Sequence, residues 1–287
     1  MIDGSGNPFR RELGLDLEVY DRWARAIAGG HGLGEAPFTQ APFFPLVLGA
    51  IYSALGPDPV RALWVQLLPA TLTVILIAWS AHLLFGRRGG WVAGLLAALY
   101  KPAIFYTGVL LPPTWATCLA SVVTWLAAFA WTGAATTVVS GALGFFAGLL
   151  GLAQPTALGL ALPILASVAV AKPRARLAPL LVAFALPLFA SLLYNGAAGA
   201  WSPIAVNRGI NLYIGNGPEA TGAYVRPPGM REDLAAIGGR VDDLRRQHLR
   251  NAGGHLGHFK APRSKECRAL RLLRRRISPD RFHRAVF

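Results

Sequence analysis

Residues 62–86 pass without a single Asp, Glu, Lys or Arg, and no carboxylate occurs anywhere from Pro59 to Pro218. A water-soluble domain carries roughly a quarter charged residues, whereas 15% of this 287-residue chain is charged and 54% is hydrophobic. A bilayer core takes about 20 apolar residues per helix. The carboxylate-free tract divides on that scale into spans at 62–85, 89–111, 114–132, 136–153, 156–171 and 177–197. The breaks between them are turn-forming or charged: "GRRGG" (86–90), "PPT" (112–114), "TGAATT" (132–137), "AQP" (153–155) and "AKPRAR" (171–176). Pro163 and Pro187 fall inside spans, where they kink helices without excluding them.

Lysine and arginine in the short loops set the orientation. Arg87 and Arg88 follow the first span, and Lys172, Arg174 and Arg176 follow the fifth. Counting spans puts both loops on one side, which is therefore cytoplasmic. The uncharged loops at 112–114 and 153–155, residues 1–61 and everything beyond 198 then lie outside. The first 14 residues, "MIDGSGNPFRRELG", lack the apolar stretch of a signal peptide. A polar outer segment with nothing to deliver it leaves two routes, a first span that acts as a reverse anchor or a further transmembrane helix upstream, and we expect the second.

The net charge of +14 resides mostly in the tail, where residues 240–287 hold 14 of the 28 Lys and Arg against four acids. That tail has no aromatic interleaving beyond Phe259, Phe282 and Phe287, so no nucleic-acid partner is expected. Its run "RALRLLRRRI" (268–277) has the character of a basic helix lying on anionic lipid; otherwise residues 251–287 read as a disordered or non-native tail. Two cysteines give no disulfide framework, and the isolated pair His255 and His258 is a poor metal site.

In "LDLEVYDRWARAIAGG" (15–30), Val19, Tyr20, Trp23, Ala26 and Ile27 make one apolar helix face, closed by Gly29 and Gly30. Glu18 and Asp21 each have an arginine four residues on, Arg22 and Arg25, as in solvated helix pairs. Asp16 has only Val19 and Tyr20 at that distance. It is either the N-cap of a helix starting at Leu17 or a partly desolvated general base at the membrane surface. Residues 42–56 are apolar but short, and predict an interfacial or re-entrant helix with Phe43, Phe44 and Tyr52 at headgroup level. Arg61 opens the first span as an interfacial cation or a phosphate ligand. Lys101 is the lone charge between 89 and 171, a costly residue inside a membrane and so a functional candidate, with bound phosphate as a natural counter-ion.

"DLEVYDRWARAIAGG", followed by "APFFPLVLGAIYSALG" and "VRALWVQLLPATLTVILIAWSAHLLFG", resembles the GT-C glycosyltransferases. The likeness is to family 39, the group of dolichyl-phosphate-mannose–protein mannosyltransferases and aminoarabinose transferases. It extends from about Asp16 to Tyr224 and includes "NRGINLYIGNGPEATGAY", a loop found after the span block of bacterial relatives.

The resemblance implies an all-α, polytopic membrane protein of the cell membrane, with a GT-C-like helical bundle, an outer-face acidic loop and juxtamembrane helices. The extracytoplasmic loop would be 1–61, the helix block 62–197, the Gly/Pro-rich outer loop 198–250 and the tail 251–287. The implied activity is inverting transfer of a sugar from a polyprenyl-phosphate donor to an extracytoplasmic acceptor, with no separate cofactor. The family's acidic motif falls on Asp16 and Tyr20, with its usual second acid at Leu17. Its donor-phosphate arginine falls on Arg61, with Lys101 as a second phosphate ligand. Three features depart from the pattern: the family's first transmembrane helix is not found in this sequence, Pro112 and Pro113 stand where many relatives have an acid, and the end departs from the expected helical, membrane-associated continuation. The alternatives are an inactive lipid- or partner-binding homologue and a transporter, although no internal repeat is visible.

Overall fold

The computed structural model describes residues 16–33, 37–134, 136–171 and 177–206. Residues up to Ala205 belong to one compact unit; from 207 the chain lies outside the described residues, and with it the expected loop to 250 and the tail.

Helix α1 is Asp16–Ala28, and α2 is Phe43–Leu55. Leu17, Tyr20 and Ala24 of α1 recur every three or four residues, so they share one face. That face buries against Phe44, Leu48 and Tyr52 of α2. Gly49 permits the close approach: a Cβ there would lie 2.8 Å from the Ile27 Cβ. Headgroup placement of Phe44 and Tyr52 is therefore corrected, because each is 1% exposed beneath α1. Their aromatic surface is used to dock a helix.

Helix α3 is Pro59–Ala98, 40 residues that contain one non-helical residue, Gly86, at φ +76°. Asp58 caps its start by accepting a hydrogen bond from the Val60 amide at 2.9 Å, and Pro59 supplies a ready-made first turn. Since the helix begins before residue 62, the proposed 61/62 boundary cuts it. A Cβ on Gly90 would approach His82, and one on Gly94 would approach Ala78. The arm at 87–98 thus folds back along the first, with Gly86 supplying the left-handed corner.

The expected span 89–111 is not one helix. Its second half is α4, Lys101–Thr107, set off by Leu99 and Tyr100. Pro102 explains the break, since it has no amide hydrogen to offer the Ala98 carbonyl four residues back and its ring crowds that carbonyl, whereas it is tolerated in the first turn of a new helix. At the other end of α4 the carbonyls left open as the helix stops are met by Gln66, whose side-chain amide approaches those of Tyr106 and Thr107 at 3.1 Å and donates to Val109 at 2.8 Å. The chain thereby returns to the level of Gln66, close to the start of α3.

Helix α5, Pro113–Phe129, continues through a wider-wound turn, Ala130–Ala134, in which Gly133 has φ +105°. Helices α6 (Thr137–Ala153), α7 (Leu158–Ala171) and α8 (Leu177–Ala197) complete the bundle, with a short 3-10 turn at Pro155–Ala157. Its core joins Val123, Leu126 and Ala127 of α5 to Leu143, Ala147 and Leu150 of α6, with Ala161 and Leu165 of α7 and Leu180 of α8.

A Cβ on Gly144 would sit 2.0 Å from the Leu180 carbonyl oxygen, and one on Gly148 would sit 2.4 Å from that of Phe184. Two glycines four residues apart let the backbones touch. Because Gly144 meets Leu180 and Gly148 meets Phe184 and Pro187, α6 and α8 run in the same direction.

Among the described residues three helices are long and apolar enough to cross a membrane: Pro59–Ala98, Pro113–Gly133 and Leu177–Ala197. The spans expected at 136–153 and 156–171 form shorter apolar helices of 17 and 14 residues. Among the described residues there is no strand.

Candidate functional site

One end of the bundle is capped by α1. Leu17 and Tyr20 share a buried cluster with Phe44 and Tyr52 of α2, Ala62 at the start of α3, and Leu110 just before α5. Asn195, near the end of α8, reaches the same end. Fully buried, it accepts from the Phe38 amide at 2.8 Å and donates to the carbonyls of Ser202 at 2.8 Å and Ile204 at 3.3 Å. Residues 202–204 are thereby tied to the helix block, rather than to a separate loop starting at 198. Phe38 also stacks on Tyr194, with ring centroids 4.5 Å apart.

Asp16 occupies the first turn of α1 rather than the position before it. Its flank is solvent-exposed, and the Gln40 side-chain amide approaches one carboxylate oxygen at 3.5 Å. Surrounding protein thins the water around the carboxyl enough to raise its pKa above the ordinary 3.8. One helical turn on, Tyr20 is buried and meets the edge of Phe44 at 5.3 Å. Burial first, and then the charge of Asp16, raise the pKa of its phenol and keep it protonated.

The other acids divide in a way the sequence spacing did not reveal. Asp21 and Arg25 do pair, at 2.7 Å, but Asp21 is 8% exposed rather than solvated. It also accepts a 2.6 Å hydrogen bond from the Tyr52 hydroxyl. Arg25 stands over the Tyr52 ring at 5.5 Å. Among the described residues the ion pairs are Arg25–Asp21 and Arg61–Asp58, so the expected Glu18–Arg22 bridge does not form.

Arg61 lies 3.3 Å from Asp58 and donates to the Leu55 carbonyl, closing the last turn of α2. Its side chain stays 63% exposed, so a face remains open to a ligand. Ala62, the next residue, lies in the cluster that holds Leu17, next to Asp16. Asp16 and Arg61 therefore belong to one end of the bundle. Lys101 does not join that cluster. It is exposed at the start of α4, about 9 Å along the helix axis from the carbonyls held by Gln66.

Gln66 and Asn195 were missed from sequence. Each had a faint signal, as a lone amide in an otherwise apolar helix, "LWVQLL" and "LLYNGA". Among the described residues no group of three His, Cys, Asp or Glu converges as a metal site would require. No protein-family model, curated protein or solved structure matches the chain.

Proposed function

We propose that this chain is a polytopic membrane glycosyltransferase of the GT-C type. It would transfer a sugar from a polyprenyl-phosphate donor to an acceptor hydroxyl on the extracytoplasmic face of the cell membrane. The observation that carries the reading is the state of Asp16. Asp21 is held by Tyr52 and Arg25, and Asp58 by Arg61 and the Val60 amide. Asp16 instead presents an exposed carboxylate whose affinity for a proton is raised, at the same end as a half-open arginine. A general base needs an accessible carboxylate with a pKa above the usual acid range, and a departing phosphate needs a cation with a rigid donor fork.

The acceptor oxygen attacks the anomeric carbon from the face opposite the phosphate, giving inversion. Its proton passes to Asp16. The bond between the anomeric carbon and the phosphate oxygen breaks, and the electron pair leaves on the polyprenyl phosphate. Arg61 stabilises the charge developing there; Lys101 lies away from this end and takes no part in the step. Reconstitution in vesicles with a polyprenyl-phosphate sugar tests the reading. Transfer with inversion, lost in Asp16→Asn, is the expected result; no transfer from any such donor by the chain would reject it.

A second reading is a homologue that binds the lipid carrier without catalysis. It is favoured by Arg61 already having Asp58 as a counter-ion and by Pro112–Pro113 in place of an acid. Donor binding without transfer would identify it.

A further inference from the structure

Asp21 is the one carboxylate among the described residues that is buried. Removing a charge from water is costly unless it is fully paired, so its partners define a constraint. The Tyr52 hydroxyl comes from α2, 31 residues away in sequence, and Arg25 from the next turn of α1. Arg25 also lies on the Tyr52 ring, so both members of the α1 ion pair engage one side chain of α2, Asp21 by a hydrogen bond and Arg25 by a cation–π contact. Ile27 against Gly49, and Tyr20 against the edge of Phe44, complete the seam. Apolar contacts tolerate sliding, whereas a buried carboxylate facing one hydroxyl does not. A shift of one residue along α1 would rotate Asp21 about 100° away from Tyr52.

We propose that Asp21, acting through Tyr52 and Arg25, is a positioning residue that fixes the register of α1 on α2 and thereby holds Asp16 in its place at the capped end of the bundle. The part concerning Asp16 rests on its reading as the base; the register itself does not. Asp21 touches no reacting atom in this scheme. It acts five residues away, through the rigid helix that it shares with Asp16.

The test uses the full chain in detergent or vesicles and two readouts. Ile27→Cys with Gly49→Cys places two thiols where the Cβ atoms nearly touch, within reach of a disulfide after a small shift. Oxidative cross-linking then reports register without any requirement for activity. With Asp21 and Tyr52 intact, cross-linking should be fast. Adding Asp21→Ala should slow it by about tenfold or more, the scale expected for a lost hydrogen bond to a charged group. Tyr52→Phe, which keeps the ring and the fold, should slow it less, and Asp21→Asn should restore part of the rate.

In chains with native thiols, the acid limb of the transfer rate should move to lower pH in Asp21→Ala and Tyr52→Phe, as Asp16 regains water. Unchanged cross-linking in both variants would overturn the register proposal. Slowed cross-linking with an unmoved acid limb would overturn the link to Asp16. If the parent chain transfers no sugar, the enzymatic reading and its Asp16 link fall together, and cross-linking alone decides the register.

Discussion

Asp16 and Tyr20 stand one helical turn apart on α1, and the charge of the carboxylate adds to the burial that keeps the Tyr20 phenol protonated. The pair divides its duties: the carboxylate faces outward, and the ring anchors the helix against Phe44. Asp16 is thus fixed by its own helix without being consumed by it.

Asp16→Asn should lower turnover by roughly 10²–10⁴-fold, as for loss of a general base, with donor binding kept. Wild-type activity should rise with pH through an apparent pKa above 3.8, because only the ionised carboxylate accepts a proton. The stability effect has the opposite sense. A carboxyl whose pKa is raised by folding favours the folded state below its unfolded value, and that contribution is lost as pH rises through the raised value. At neutral pH the Asp16 charge therefore works against folding. Asp16→Asn should match or exceed wild-type thermal stability at pH 7, measured by unfolding in detergent. A less stable variant would recast Asp16 as a structural residue.

Arg61→Ala should weaken binding of polyprenyl phosphate as well as slow transfer, because a charge-assisted contact is lost. Folding should change little, since exposed pairs such as Arg61–Asp58 contribute about 0–1 kcal/mol. Arg61→Lys should recover only part of the affinity, as an ammonium cannot reproduce a two-pronged fork. Binding of a labelled polyprenyl phosphate to vesicles separates the two variants.

The helices were legible because a charge-free tract leaves few choices, and the turns because Gly86, Pro112 and Gln154 interrupt apolar text. The second span was over-read: its composition is continuous, but Pro102 breaks the hydrogen-bond ladder and hydropathy carries no trace of that. Spacing alone identified the Asp21–Arg25 pair but gave it the wrong environment, because the hydroxyl that buries it comes from Tyr52, on another helix. The parallel contact of α6 with α8 was equally hidden. "GALGFFAGLLG" advertises small residues but not the helix they meet.

Gly144→Ala should destabilise the bundle by about 1–3 kcal/mol or more, the range for overpacking a tight interior. The new methyl would collide with the Leu180 carbonyl, which is backbone and cannot rotate away. Gly148→Ala should behave alike, whereas Gly141→Ala, whose Cβ would lie 4.0 Å from the Pro179 carbonyl oxygen, should be mild. Thermal unfolding of the three variants ranks them directly, and equal losses would refute the close α6–α8 contact.

Gln66→Leu should cost roughly 1–3 kcal/mol, because three carbonyls lose their donor inside the bundle. The loss should concentrate at the end of α4. Faster proteolysis or hydrogen exchange at 106–109 than elsewhere is the expected signature, and uniform loosening would argue that Gln66 supports only general packing.

The proposed orientation rests on how the charges are sorted along the bundle. Residues Asp16, Glu18, Asp21, Asp58 and Arg61 gather where α1 caps the bundle. Arg87 and Arg88 follow the Gly86 corner, at the far end of the first arm of α3. Trp79 on that arm meets Trp125 of α5 at 5.4 Å, so α5 descends beside it toward the same far end. Arginine in short loops is retained on the cytoplasmic side, so the orientation we propose puts the acidic cap outside. With Arg88→Cys, an impermeant maleimide should label the chain only after the cells are opened, whereas Glu18→Cys should react in intact cells. The parent for both variants has Cys118 and Cys267 replaced by Ser, so that the introduced thiol is the one that reacts. Labelling of position 88 in intact cells would place the acidic cap in the cytoplasm, and the proposed transfer on the outer face would fail with it.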